Sequence, residues 1–157
     1  MTTNDQNNCS HLEIKSDYSE SNTHLKDLLE FQAKIQQETY GTKYSEMTLS
    51  ELKDFWLINT HALQDEIHEA FNALGGIHDG VGNAVWKFWK KSKYESIKNQ
   101  KISDMSERDL VELKFEIIDM LHFFLNYANS VGMTAEEMYN MYVAKNKENI
   151  DRQKRGY

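Results

Sequence analysis

From Ile117 to Ala128 the chain reads IIDMLHFFLNYA, and only Asp119, His122 and Asn126 in that stretch are polar. A helix apolar around most of its circumference is normally buried. A carboxylate carried into such a place is costly unless it is paired or holds a cation. Glu116 and Asp119 lie three residues apart, so they share one face of that helix. Glu66 and Glu69 repeat the spacing in a second helical segment. Two such helices facing each other make an all-carboxylate site suited to Mg²⁺ or Mn²⁺. The stretch therefore demands packed helices around an acidic centre.

The rest of the chain agrees with that demand. Its 157 residues suffice for one domain with a real core. It has no proline, few glycines and many residues that favour helix. No segment shows sustained alternation or a hairpin turn signal, so no strand is expected. Residues 1–22 have little apolar content and no periodicity, and read as a flexible arm ahead of one domain over 23–157.

Five helices are predicted. The first runs from about His24 to Thr39, with Leu25, Leu28, Leu29 and Ile35 inward and Gly41 at its end. The second starts at Thr48, where Thr48 and Glu51 match a capping box, and stops at Gly75–Gly76. Its inner stripe is Leu63, Ile67, Ala70, Phe71 and Leu74. An aromatic and basic helix spans about Asn83 to Asn99. The fourth follows Ser106, with Asp109 completing another box, and ends at Val131–Gly132. The fifth starts at Thr134, with Glu137 as its partner, and runs to about Asn149. The fold class is an all-α helical bundle.

Charge and cysteine usage narrow the function. The single cysteine, Cys9, allows no internal disulfide, which fits a reducing cytoplasmic setting. Residues 1–23 lack the apolar core of a signal peptide, and no window is long enough for a membrane span. A net charge of −7 disfavours general nucleic-acid binding. Yet residues 87–101 carry six lysines against Glu95 alone, and residues 145–157 carry five cations against Glu148 and Asp151. Local basic segments near acidic helices suit a small polyphosphate; their plain alternative is a solvated face.

On a wheel of the fourth helix, Glu116, Asp119, Asn126 and Ser130 form a polar stripe interrupted by Phe123, with His122 at its edge. Carboxylates in this number would hold Mg²⁺ with positions open for phosphate oxygens. One left partly free could serve as general base, and Glu66, nearer the buried stripe, is the candidate. Trp86 and Trp89 share a face and either pack in the core or stack on a base. Gln32 and Gln36 could offer amides to a base edge, or be ordinary surface residues. Asp65–His68 and Asp119–His122 also resemble the Glu-x-x-His pairs of di-iron bundles, although acids alone suffice for a site here.

Taken together, AVWKFWK, ISDMSERDLVELKFEIIDMLHFFLN and VGMTAEEMYNMYVAKNKENIDRQKRGY resemble the MazG-like NTP pyrophosphatases and the dimeric all-α dUTPases, most closely their phage dCTP/dUTP branch. EIHE and FQAKIQ match more loosely, and residues 1–22 match nothing. The resemblance implies that Glu66, Glu69, Glu116 and Asp119 bind two or more Mg²⁺ ions. It implies that Lys145, Asn149, Arg152 and Tyr157 contact or close over the phosphates, and that Gln32, Gln36, Trp86 and Asn126 lie near base and sugar. It further implies a homodimer that converts dCTP, dUTP and the related diphosphates to monophosphates. Lys154 departs from the pattern, where an acidic residue is expected.

Two other readings stay open from the sequence. One is a related helical pyrophosphatase for another nucleotide. The other is a non-catalytic acidic phage protein that inhibits a host factor, although a mimic of that kind needs its acids on the surface.

Overall fold

The computed structural model describes residues 23–76, Trp89 and residues 98–156. Four α-helices carry them: α1 His24–Tyr40, α2 Leu49–Leu74, α3 Glu107–Ser130 and α4 Ala135–Lys154. Short 3-10 turns lie at Tyr44–Glu46 and Ile102–Asp104. No strand occurs among the described residues, as the all-α expectation requires. The aromatic and basic helix expected over 83–99 falls outside the described residues apart from Trp89, Lys98 and Asn99, and so does the arm over 1–22.

The helices begin where their capping signals stand. Thr48 donates its backbone N–H to Glu51 Oε2 at 2.8 Å, and Glu51 N–H donates back to Thr48 Oγ1 at 3.3 Å. Asp109 N–H donates to Ser106 Oγ at 3.1 Å, and that hydroxyl donates to Asp109 Oδ2 at 3.0 Å. Thr134 and Glu137 close the same reciprocal pair at 2.9 and 3.2 Å. Each box satisfies amide groups that a helix start leaves without partners. These bonds hold the carboxyls of Glu51 and Glu137 below their usual range. α1 ends at Gly41 and α3 at Gly132, both left-handed at φ 67° and 68°, where only glycine carries no Cβ penalty.

α4 runs five residues beyond the expected end. Glu148 Oε1 accepts from Arg152 Nε at 3.0 Å and from Arg155 at 2.7 Å. Such pairs one to two turns apart support a helix, and no glycine interrupts it before Gly156. The segment expected to be a tail is therefore helical through Lys154.

The chain divides into two compact units: one of Leu57–Phe123, the other of Ser19–Trp56 with Phe124–Tyr157. In the second unit α1 packs on α4. Leu29, Leu125 and Ala128 are buried there beside Gln32 and Asn126. Trp56 Nε1–H donates to Ser130 Oγ at 2.8 Å, and its ring meets Tyr127 edge-on at 5.3 Å. In the first unit the buried described side chains are Asn59, Ala73, Asp109, Glu112 and Glu116. Most of those described buried side chains are polar.

Four residues expected to point inward are exposed instead: Leu28 at 42%, Ile35 at 49%, Ile67 at 38% and Phe71 at 39%. Phe31 joins Leu28 and Ile35 on one face of α1 at 63%. α1 is thus apolar on two faces, one with Leu29 buried and the other with Leu28, Phe31 and Ile35 exposed.

Candidate metal centre

Three of the four acids singled out in the sequence meet in the first unit. α2 supplies Glu66 and α3 supplies Glu116 and Asp119, with one carboxylate oxygen from each lying within 4.8 Å of the others. The i, i+3 spacing sets Glu116 and Asp119 on the same face of α3. Glu116 is buried, and Glu66 and Asp119 are half-buried. Asp119 Oδ1 also lies 3.3 Å from His122 Nδ1, which places His122 beside the acidic cluster rather than in it. Glu69 is exposed and outside the three-residue cluster, but its charge is the foremost of those acting on Glu116.

Electrostatics show what this arrangement wants. Burial pushes the Glu116 carboxyl up to about 7, and Glu69, Glu112, Glu66 and Asp119 add to the shift. Burial also raises Glu66, followed by Glu69, Asp119 and Asp65. Every charge in those two sets is a carboxylate. Like charges gathered in a desolvated place stay ionised together only beside a cation. Hard oxygen donors at this separation fit Mg²⁺ or Mn²⁺. The residues present fit a divalent ion on that ground. Sequence reasoning missed Glu112, which is 1% exposed and one turn before Glu116. The run Asp109, Glu112, Glu116, Asp119 at intervals of three and four was the available signal.

A polar cluster occupies the second unit. Gln32 Nε2–H donates to Asn126 Oδ1 at 2.8 Å across buried surface. Tyr44 Oη–H donates to the same oxygen at 3.2 Å. Burial pushes the Tyr44 hydroxyl up to about 12, so it stays protonated. Gln36 is half-buried and accepts from Thr42 Oγ1 at 3.1 Å. Thus Gln32 and Asn126 do come together, while Gln36 bonds elsewhere. Tyr44 was not foreseen; it lies in a short 3-10 turn with no periodic pattern to single it out.

Lys145 and Asn149 are exposed on α4. Arg152 is half-buried and bonded to Glu148, which Arg155 also reaches. Trp86 and Tyr157 lie outside the described residues. No helix among the described residues is long and apolar enough to cross a membrane.

Comparison with known proteins gives three similarities. The chain is 46% identical over 105 residues to the dCTP pyrophosphatase of Enterobacteria phage LZ5, covering 65% of this chain and 60% of that protein. It is 41% identical over 97 residues to the dCTP pyrophosphatase of Enterobacteria phage T4, covering 60% of this chain and 56% of that one. A DNA replication protein of Enterobacteria phage T4 is 40% identical over 87 residues, 54% of this chain and 22% of its own length. The matched part thus spans less than two thirds of each relative. No protein-family profile matches the chain, and no solved structure does.

Proposed function

We propose that this chain is a divalent-cation-dependent nucleotide pyrophosphatase that cleaves dCTP, and dUTP with it, to the monophosphate and pyrophosphate. The observation that carries the reading is the Glu66–Glu116–Asp119 cluster, in a chain similar to two phage proteins named dCTP pyrophosphatase. The related diphosphates are further substrates in this reading, and the cytoplasm of an infected cell is its setting.

Glu66, Glu116 and Asp119, with Glu69 beside them, would hold Mg²⁺. Bound there, the ion polarises phosphoryl oxygens and offsets their charge. Glu66 takes a proton from the attacking water as its oxygen bonds to phosphorus and the α–β anhydride P–O bond breaks. Glu116 and Asp119 keep their places because α3 fixes both on one face. Gln32, Asn126 and Gln36 supply amides for the base, with Trp86 stacking beside it. Lys145, Asn149, Arg152 and Tyr157 serve the phosphates. For Arg152 that service means exchanging Glu148 for phosphate oxygens, each a charge-assisted partner.

The active species in this reading is a homodimer. The exposed Leu28, Phe31 and Ile35 stripe supports it, because a monomer rarely leaves such a face to water. One experiment tests the whole reading: incubation with a panel of deoxynucleoside triphosphates and Mg²⁺, reading pyrophosphate release. Release from dCTP and dUTP, abolished by excess EDTA, is expected. Equal release from dATP and dGTP would remove pyrimidine selection. No release from any triphosphate would favour a non-catalytic protein.

A further inference from the structure

Along α4 and its C-terminal cap, Lys145, Glu148, Arg152 and Arg155 stand at intervals of three, four and three. That spacing sets them in one stripe, and Arg155 continues it because its backbone stays helical at φ −79° and ψ −4°. Three cations thus share the stripe with one acid. Helical side chains lean toward the N-terminus, so both arginines reach back over Glu148. Glu148 Oε1 accepts from Arg152 Nε at 3.0 Å and from Arg155 Nη2 at 2.7 Å. One negative charge therefore answers two positive ones.

Arg152 interacts with more than Glu148, whereas the one side-chain bond of Arg155 among the described residues is that to Glu148. A guanidinium carries five N–H donors, so Arg155 keeps most of its own for a further acceptor. Arg155 is exposed and Glu148 half-buried. Ion pairs this open to water add little to stability, and they exchange readily. A recess of about 560 Å³ borders them, lined by Glu148, Arg152, Arg155 and Gly156. A single water takes up about 30 Å³, which leaves room there for a phosphate chain.

We propose that Arg155 is a second phosphate-binding arginine beside Arg152, and that Glu148 is their built-in competitor. Its carboxylate holds both guanidinium groups in register until a phosphate group displaces it. A terminal phosphate offers three acceptor oxygens and a charge of about −2, and each bond to arginine is charge-assisted, so it wins the exchange. The inference rests on the phosphate role given to Arg152 in the preceding subsection and deepens it. Glu148 touches no reacting atom; it is a positioning residue that sets how tightly the stripe holds a polyphosphate.

The first test is calorimetric titration of the full chain with inorganic pyrophosphate in metal-free buffer. Without a divalent ion the acids of the metal centre repel the anion, and the titration reads the cationic stripe. No side chain of α4 is buried, so the substitutions reach no packed core. Glu148→Gln should bind pyrophosphate about tenfold more tightly than the wild type, the scale of one charge-assisted bond released. Arg155→Ala should bind about tenfold more weakly, and combining it with Glu148→Gln should cancel most of the gain. Glu136→Gln, which removes a charge from the first turn of the same helix, should change nothing. Equal gains in Glu136→Gln and Glu148→Gln would reduce the effect to net charge and overturn the proposal. So would Glu148→Gln binding no tighter than the wild type, or binding that Arg155→Ala leaves intact.

The second test measures dCTP hydrolysis with Mg²⁺. KM should fall in Glu148→Gln and rise in Arg155→Ala, with kcat moved less. A KM equal in all three proteins would overturn the proposal as well. A chain that binds pyrophosphate as described yet cleaves no nucleotide would end the catalytic reading and leave the anion site standing, which separates the two failures.

Discussion

Glu116 is the residue on which the chemistry of the site can be read most directly. Burial, then the charges of Glu69, Glu112, Glu66 and Asp119, lift its carboxyl from about 4.5 to about 7. Between those values the folded chain binds more protons than the unfolded chain. Stability of the cation-free protein should thus fall as pH rises from about 4.5 to about 7, and level off above. Thermal melts in EDTA at a series of pH values check this. Glu116→Gln should flatten the slope and melt above the wild type near pH 8, while losing on the order of 10²-fold or more in turnover. Saturating Mg²⁺ should raise the wild-type Tm, because a ligand that binds only the folded state stabilises it, and should raise that of the variant less. An identical slope in both proteins would show that Glu116 is not the group that titrates. Glu66→Gln should lose on the order of 10²–10⁴ in turnover yet retain nucleotide binding, as equilibrium dialysis would show.

The elements differ in how much of them a reader of the chain can see. Helix starts were legible because Thr48–Glu51, Ser106–Asp109 and Thr134–Glu137 each act across three residues. Thr134→Ala should destabilise the start of α4 by about 1 kcal/mol, visible as faster amide exchange over its first turn. The acid pairs were legible for a similar reason, since i, i+3 spacing and an apolar setting are both local. Tyr44 was not, because its partner Asn126 is 82 positions away. The end of α4 was misplaced because the cation-rich segment after Asn149 read as a tail, whereas Arg152 and Arg155 both bond Glu148 and extend the helix. Truncation after Asn149 removes that last helical stretch along with Arg152. It should leave Tm nearly unchanged, since no side chain of α4 is buried, but lower kcat/KM by roughly 10²-fold. Full activity in the truncated protein would reduce the segment to an ordinary terminus.

At the scale of the whole molecule, the periodicity of α1 located its apolar positions but not what covers them. Leu29 is covered by its own chain, while Leu28, Phe31 and Ile35 are open to water. Hydrophobic pattern is silent on whether an intramolecular or an intermolecular surface does the covering, which is why that part of the core was misread. Phe31→Glu should shift sedimentation from dimer toward monomer at micromolar concentration, and an unshifted profile would place the stripe outside any subunit contact. The same stripe has a consequence for dosage. If two chains shelter one another's α1, each extra chain made also stabilises those already present, and Tm should climb with protein concentration. Activity would then grow faster than the amount of protein. Dilution would silence the enzyme sooner than simple proportion allows.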